Sequence, residues 1–314
     1  MGTQRVTQGR FGRILAVLLL LAGITSMAYP ITATLIMNAS QRQAVIENEK
    51  LAQTNDPARN AADIEAARQY NLQLHSGPIL DPFLQRVAPN TKLYREYLSY
   101  LDYTDHMIGS VKIPSIDVSL PIYHGTYEEE LQKGVGHLFG SSLPVGGEGT
   151  HAVLTGHSGL SNATMFDNLP KLKQGDAIYI FVAGEKLKYV VTSEEVVIPT
   201  QTDSLLPIEG KDLVTLITCT PYGINTHRLL VHAERAPYDP EVDDAQSNHQ
   251  PTIFRPWMAL SAAVIVLLIL VFIWTLVRRK KKERPRHARR GSGQTPHRRS
   301  ISIVPTHGDE HRRE

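Results

Sequence analysis

The chain has 314 residues, 42% of them hydrophobic, and a formal charge of +2. Its basic residues are concentrated at the ends: residues 1–13 hold three Arg and no acid, and residues 278–314 hold 13 Lys or Arg against four acids, so the ends carry +12 and the segment between them −10. That imbalance argues against a nucleic-acid partner for the middle of the chain, and the single cysteine, Cys219, excludes an internal disulfide.

Residues 14–41 and 258–277 are free of charge, and each reaches the roughly 18 to 20 apolar residues that span a bilayer. The first reads as a transmembrane helix or signal-anchor over 14–38, behind a basic N-terminus at 1–13. Ser26-Met27-Ala28 offers small residues where a signal peptidase could cut, which is the rival reading. The second span, 257–277, opens at Trp257 and runs straight into the basic cluster from Arg278 to Lys282, the pattern of a membrane anchor. Basic flanks outside both spans predict cytoplasmic termini and an extracellular middle, with membrane lipid as one partner. The tail at 278–314 has no hydrophobic period and reads as a disordered topology determinant that could also meet anionic lipid.

Residues 39–106 are expected to form an extracellular helical region. From 43 to 70 the chain is rich in Ala, Glu, Gln and Arg, which predicts one or two helices, with Asn55-Asp56-Pro57 as a break and a new start. Ser76-Gly77-Pro78 and Asp81-Pro82 forbid helix continuation and leave an irregular loop over about 75–89. That loop carries Ile79, Leu80, Phe83 and Leu84, so it must lie against something. A short helix follows at 93–101.

From Met107 the texture changes to short β-rich runs at 111–113, 118–123, 151–155, 177–182, 187–191, 213–219 and 228–233, with Ala183-Gly184 as a hairpin turn. Short helices are expected at 127–133 and 162–172. A spacing of roughly ten residues between runs predicts a mainly β fold, a closed antiparallel or mixed barrel over 107–240, then a linker at 241–256.

Cys219 ends the apolar run that begins at Leu213, and Pro221 and Gly223 stop that run, so the thiol sits at a strand end facing a loop. It is either a buried small hydrophobe or a free thiol kept for its reactivity. Arg228 opens the next run nine residues later and can lie beside Cys219 on a neighbouring strand. A guanidinium there favours a thiolate and donates hydrogen bonds to an oxyanion, but it cannot act as a base. Among 13 His, His157 has the best setting for acid and base work: it follows the apolar run 152–154, and Gly156 and Gly159 leave its imidazole accessible. A free thiol titrates near about 8.5 and needs a neighbouring cation, while the leaving amine of an amide needs a proton donor.

Other signals carry no chemistry. Gly134-Val135-Gly136 lacks the strand-to-helix context of a phosphate loop and reads as a turn. The Leu-Pro-Val-Gly-Gly run from Leu143 to Gly147 sits inside the domain. His124, His137 and His227 lack metal-ligand spacing, and Glu128-Glu129-Glu130 reads as a solvated helix face. No cofactor or metal is called for.

Thr215-Leu-Ile-Thr-Cys219, followed nine residues later by Arg228 and preceded upstream by Thr155-Gly-His157, resembles the sortase transpeptidases. Leu120-Pro-Ile-Tyr-His-Gly125, Gly134-Val-Gly-His-Leu138, Ser142-Leu-Pro-Val-Gly-Gly147 and the stretch from Cys219 through His227-Arg228 resemble its class C, or pilin-polymerising, branch, over about residues 79–238. The resemblance implies a closed eight-stranded β-barrel, with Cys219 as nucleophile, His157 as acid/base partner and Arg228 as electrostatic stabiliser. It implies cleavage of an LPxTG-type sorting signal between Thr and Gly through a thioester, then transfer to a Lys amine of a pilin subunit, at the cell membrane of a Gram-positive-type bacterium. Asp81-Pro82-Phe83 matches the Asp-Pro-aromatic lid of that branch, which implies that Asp81 faces Arg228 and that the Phe83 ring covers Cys219. The alternatives are a housekeeping sortase that anchors proteins to the cell wall, a hydrolytic cysteine protease and a non-enzymatic surface adhesion domain. Only the last leaves Cys219 dispensable.

Overall fold

Alternation along the β-rich runs sorts their side chains onto two faces of one wall. In the computed structural model, which describes residues 3–74, 81–84, 91–249, 251–252 and 256–283, eight strands build that wall. They are β1 (Met107–Ile113), β2 (Val118–His124), β3 (Val135–His137), β4 (Thr150–Thr155), β5 (Ala177–Val182), β6 (Glu185–Val197), β7 (Asp212–Thr220) and β8 (His227–Ala236). The order β1-β2-β3-β4-β7-β8-β6-β5 closes on itself, because β5 also pairs with β1. The pairs β2–β3 and β4–β7 are parallel and the other pairs antiparallel.

Val214 and Leu216 of β7 join Leu229, Val231 and Ala233 of β8 in the main buried cluster, which also takes in Ile180 of β5. The alternate residues serve the outer face. There Ile217 and Leu230 meet Leu138, Val153 and Leu205 in a second, smaller buried cluster, against which Phe83 and Val197 pack. Burying an apolar side chain of this size is worth about 1.5–3 kcal/mol, enough to hold Phe83 without a covalent tie.

Helix α1 (Thr3–Thr54) runs past the expected end of the span at residue 38, because residues 39–54 contain neither Gly nor Pro and favour helix. Its polar half lies against the barrel. Lys112 Nζ of β1 lies 2.7 Å from Glu49 Oε1, and Asn38 Nδ2 donates to Thr164 Oγ1 at 3.0 Å. Asp56 caps helix α2 (Pro57–Gln73) by accepting from Ala58 N, with Pro57 in its first turn. Asn71, near the end of α2, exchanges two hydrogen bonds with the Leu143 backbone. Helix α3 (Lys92–Leu98) starts at the Thr91 cap and buries Tyr94 and Tyr97. The expected loop at 75–89 therefore lies between two anchored helices. Within it only residues 81–84 are described, with Pro82–Leu84 in one 3-10 turn, and Ile79 and Leu80 lie outside the described residues.

Several local expectations need correction. Gly134-Val135-Gly136 is not a turn: Val135–His137 is a strand that pairs with both β2 and β4. Its glycine serves close approach, since a Cβ on Gly136 would lie 2.3 Å from Gly125 O. Helix α4 (Glu128–Lys133) forms as expected. The stretch 162–172 is not an α-helix; only Leu169–Lys171 makes a 3-10 turn. Pro170 lacks the N–H that a helix interior needs, Met165 takes a left-handed φ of 39°, and the backbone closes short i to i+3 bonds such as Leu169 N to Phe166 O. Strand β6 extends to Val197, well past 191, because its polar half crosses a bulge between Val191 and Ser193 and keeps pairing with β8.

The expected linker opens with helix α5 (Pro240–Ser247). Its Asp243 is fully buried, accepting from Tyr179 OH and Lys188 Nζ at 2.8 and 2.9 Å. Helix α6 (Pro256–Glu283), like α1, is long and apolar enough to cross a membrane. Residues 284–314, most of the expected tail, lie outside the described residues.

Candidate active site

Antiparallel pairing sets Cys219 of β7 directly opposite Arg228 of β8, and Arg228 in turn opposite Val197 of β6. Side chains of directly opposed residues share a face, so thiol and guanidinium stand together on the outer wall, above the cluster that holds Ile217 and Leu230. Cys219 is a free, half-buried thiol, and Arg228 is 7% exposed. Every nitrogen of that guanidinium is engaged. Nε and Nη2 donate to Asp81 Oδ1 and Oδ2 at 2.9 Å each, and Nη1 donates to Asn225 O and His227 O at 3.1 Å. Asp81 is itself 6% exposed, and two parallel bonds satisfy both buried charges.

Phe83 lies between the cation and the imidazole. Its ring centroid is 4.8 Å from Arg228 Cζ and 5.6 Å from the ring of His157. The His157 loop is stitched to the strand that carries the thiol: Thr218 Oγ1 donates to Gly156 O, Gly156 N to Ile217 O and Ser158 Oγ to Cys219 O, at 2.8, 3.0 and 2.8 Å. Gly156 is required by space, since a Cβ there would stand 2.7 Å from Phe166 Cδ2. The structure thus gathers all five residues singled out from the sequence, Cys219, His157, Arg228, Asp81 and Phe83, on one patch of the barrel exterior.

Burial pushes the Cys219 thiol above its usual range; the Arg228 charge pulls it down and the Asp81 carboxylate pushes it up again. In this arrangement the thiol form is favoured, and four of the five guanidinium N–H groups are already committed.

Glu128 is the residue that sequence reasoning missed. Read as part of a solvated face, it has 58% of its side chain exposed, yet its Oε2 is 3.4 Å from His157 Nε2. The three set-aside histidines divide. His137 is wholly buried and bonded at both ring nitrogens, to Tyr97 OH at 2.8 Å and to Ser142 O at 2.7 Å. His124 is buried against the Tyr97 ring, with Nδ1 on His106 O at 3.0 Å. His227 begins β8 beside Arg228.

A family model described as the sortase domain matches residues 111–236. The chain is 32% identical over 179 residues to Sortase A of Bacillus anthracis, covering 55% of this chain and 79% of that one. Among solved structures it resembles Sortase A from Corynebacterium diphtheriae, at 50% identity and TM-score 0.60 over 65% of this chain and 97% of that one. It also resembles sortase C-1 from Actinomyces oris, at 56% identity and TM-score 0.54 over 57% of this chain and 99% of that one. With a closed eight-stranded barrel that carries a free thiol on its outer wall, and with relatives matched over most of their length, the chain belongs to the sortase family of cysteine transpeptidases.

Proposed function

We propose that this enzyme is a membrane-tethered transpeptidase that cleaves an LPxTG-type sorting signal between Thr and Gly and passes the acyl group to a Lys amine of a pilin subunit, polymerising pili. Cys219 is the nucleophile, His157 the acid/base partner and Arg228 the oxyanion stabiliser. The thiolate sulfur attacks the Thr carbonyl carbon, and the resulting oxyanion is met by the guanidinium. The C–N bond to Gly then breaks, the imidazolium proton goes to the leaving amine, and a thioester remains. A neutral Lys amine attacks that thioester, the C–S bond breaks and the amine proton passes to the imidazole, which restores thiolate and imidazolium. The observation that carries this reading is the cross-strand pair of Cys219 with Arg228, with the His157 loop bonded to the same strand. The likeness to sortase C of Streptococcus pneumoniae, a structure described in terms of pilin substrate specificity, supports the pilin acceptor.

Residues 81–83 act as a lid. Asp81 engages the guanidinium that the oxyanion needs, and Phe83 fills the space between Arg228 and His157, so substrate entry requires their departure. Both termini face the cytoplasm and the barrel faces outward, held by two spans. That confines the site to the layer where membrane-held substrates wait and raises their effective concentration without tighter binding.

Mass spectrometry of the full-length protein in detergent micelles, incubated with a Leu-Pro-x-Thr-Gly peptide, tests the chemistry. A thioester adduct is expected, absent in Cys219→Ala, and addition of a Lys-bearing pilin should convert it to an isopeptide product. No adduct overturns the enzymatic reading. An adduct that only water or a cell-wall amine resolves overturns the pilin acceptor and leaves a hydrolase or a housekeeping enzyme.

A further inference from the structure

Charged and titratable groups from several elements stand around the loop that carries His157. Cys219 comes from β7, Arg228 with its Asp81 partner lies behind Phe83, Asp167 belongs to the same loop and accepts from Gly159 N, and Glu128 starts α4. The Glu128 contact is specific in geometry. Its Oε1 accepts from Gln132 Nε2, one turn along the same helix, which leaves Oε2 turned to the imidazole at 3.4 Å. The nitrogen it faces, His157 Nε2, is buried and makes no hydrogen bond among the described residues. A buried ring nitrogen beside a carboxylate is best satisfied when it carries a proton.

We propose that Glu128 is a positioning residue for the transfer reaction: its carboxylate holds a proton on His157 Nε2, raises the share of imidazolium, and leaves Nδ1 to exchange protons with the thiol and the leaving amine. This rests on the reading of His157 as acid/base partner. The reacting state pairs a thiolate with an imidazolium, and with the thiol pushed up by burial that state is the minor one. The rate therefore scales with how readily the imidazole keeps its second proton. Because Glu128 is 58% exposed, solvent screens the pair and the expected effect is modest, about threefold.

The pH dependence of kcat/KM for thioester formation on a Leu-Pro-x-Thr-Gly peptide, measured on the full-length protein in detergent, tests the idea in parent, Glu128→Gln, Glu128→Asp and His157→Ala. In Glu128→Gln the acid limb should move to lower pH by about half a unit. Activity should be unchanged below that limb and about threefold lower across the plateau, with KM constant and partial recovery in Glu128→Asp. Carbon-13 labelling of the His ring should report the imidazole midpoint falling by the same half unit in Glu128→Gln. A uniform loss at every pH, or no change, overturns the proposal even if His157→Ala is inactive. Full activity in His157→Ala overturns the acid/base reading itself.

Discussion

Arg228 presents Nε and Nη2 to the two carboxylate oxygens of Asp81, each at 2.9 Å, and both side chains are more than nine-tenths buried. The cation across the sheet from the thiol is thus occupied by a residue 147 positions earlier in the chain. Removing the carboxylate in Asp81→Ala frees the guanidinium to act on Cys219 alone and removes a charge that pushes the thiol up. Alkylation of Cys219 by iodoacetamide at neutral pH should rise on the order of tenfold, the effect of about one pH unit in thiolate content. Equal labelling of parent and variant would remove Asp81 from control of access.

Phe83→Ala takes away the ring over Arg228 and its packing on the outer cluster, but leaves the charge pair in place. The cation–π contact is worth about 0.5–2 kcal/mol, so labelling of Cys219 should rise less than in Asp81→Ala. A larger rise than in Asp81→Ala would make the ring, rather than the carboxylate, the principal closure.

Arg228→Lys keeps a positive charge but loses the fork that meets two oxygens at once. If the guanidinium stabilises the oxyanion, kcat for acyl transfer falls on the order of 100-fold or more while KM stays near the parent value. Steady-state kinetics decide it. A variant with parent kcat would leave Arg228 only its contact with Asp81.

Gly156→Ala places a methyl group 2.7 Å from Phe166 Cδ2, which is itself wholly buried. Overpacking of this kind costs about 1–3 kcal/mol. Because the same backbone carries His157, transfer activity should fall with the melting temperature. Unaltered melting would mean that Phe166 can yield.

Burial lowers His124 to about 4, His137 to about 3 and His151 to about 4. The unfolded chain binds protons at these rings below about 6.5, while the folded chain refuses them until much lower pH. Their contribution to stability is therefore fully present above pH 6.5 and is lost as pH falls towards 4, by up to about 1.4 kcal/mol per pH unit for each ring. Calorimetry between pH 7 and 4 should show the melting temperature dropping. His137→Gln should flatten that slope, and an unchanged slope would assign acid sensitivity to other groups.

Much of the barrel is legible in sequence because β-branched runs separated by Gly and Pro leave few alternatives, and a strand-end thiol nine residues before an Arg restricts where that Arg can lie. Strand β3 is not legible: three residues are too few to show alternation, and glycines placed for close backbone approach look the same as turn glycines. The 162–172 stretch misleads because its apolar content is that of a helix while Pro170 and the left-handed backbone at Met165 break the helical course. Glu128 is invisible for another reason. Its neighbour His157 is brought to it by parallel β2–β3 pairing followed by β3–β4 pairing, and nothing in a run of three Glu marks one as lying beside an imidazole.

The register that places Cys219 across from Arg228 has an evolutionary consequence. The intervening hairpin tip, residues 221–226, joins two residues already fixed by backbone pairing, and its Tyr222 and Ile224 project into solvent. Exchange of those two exposed side chains leaves the thiol and guanidinium in place, whereas a single-residue slip within either strand would rotate one of them into the barrel interior. The side chains of Tyr222 and Ile224 can therefore vary without touching the ladder, which itself tolerates no shift.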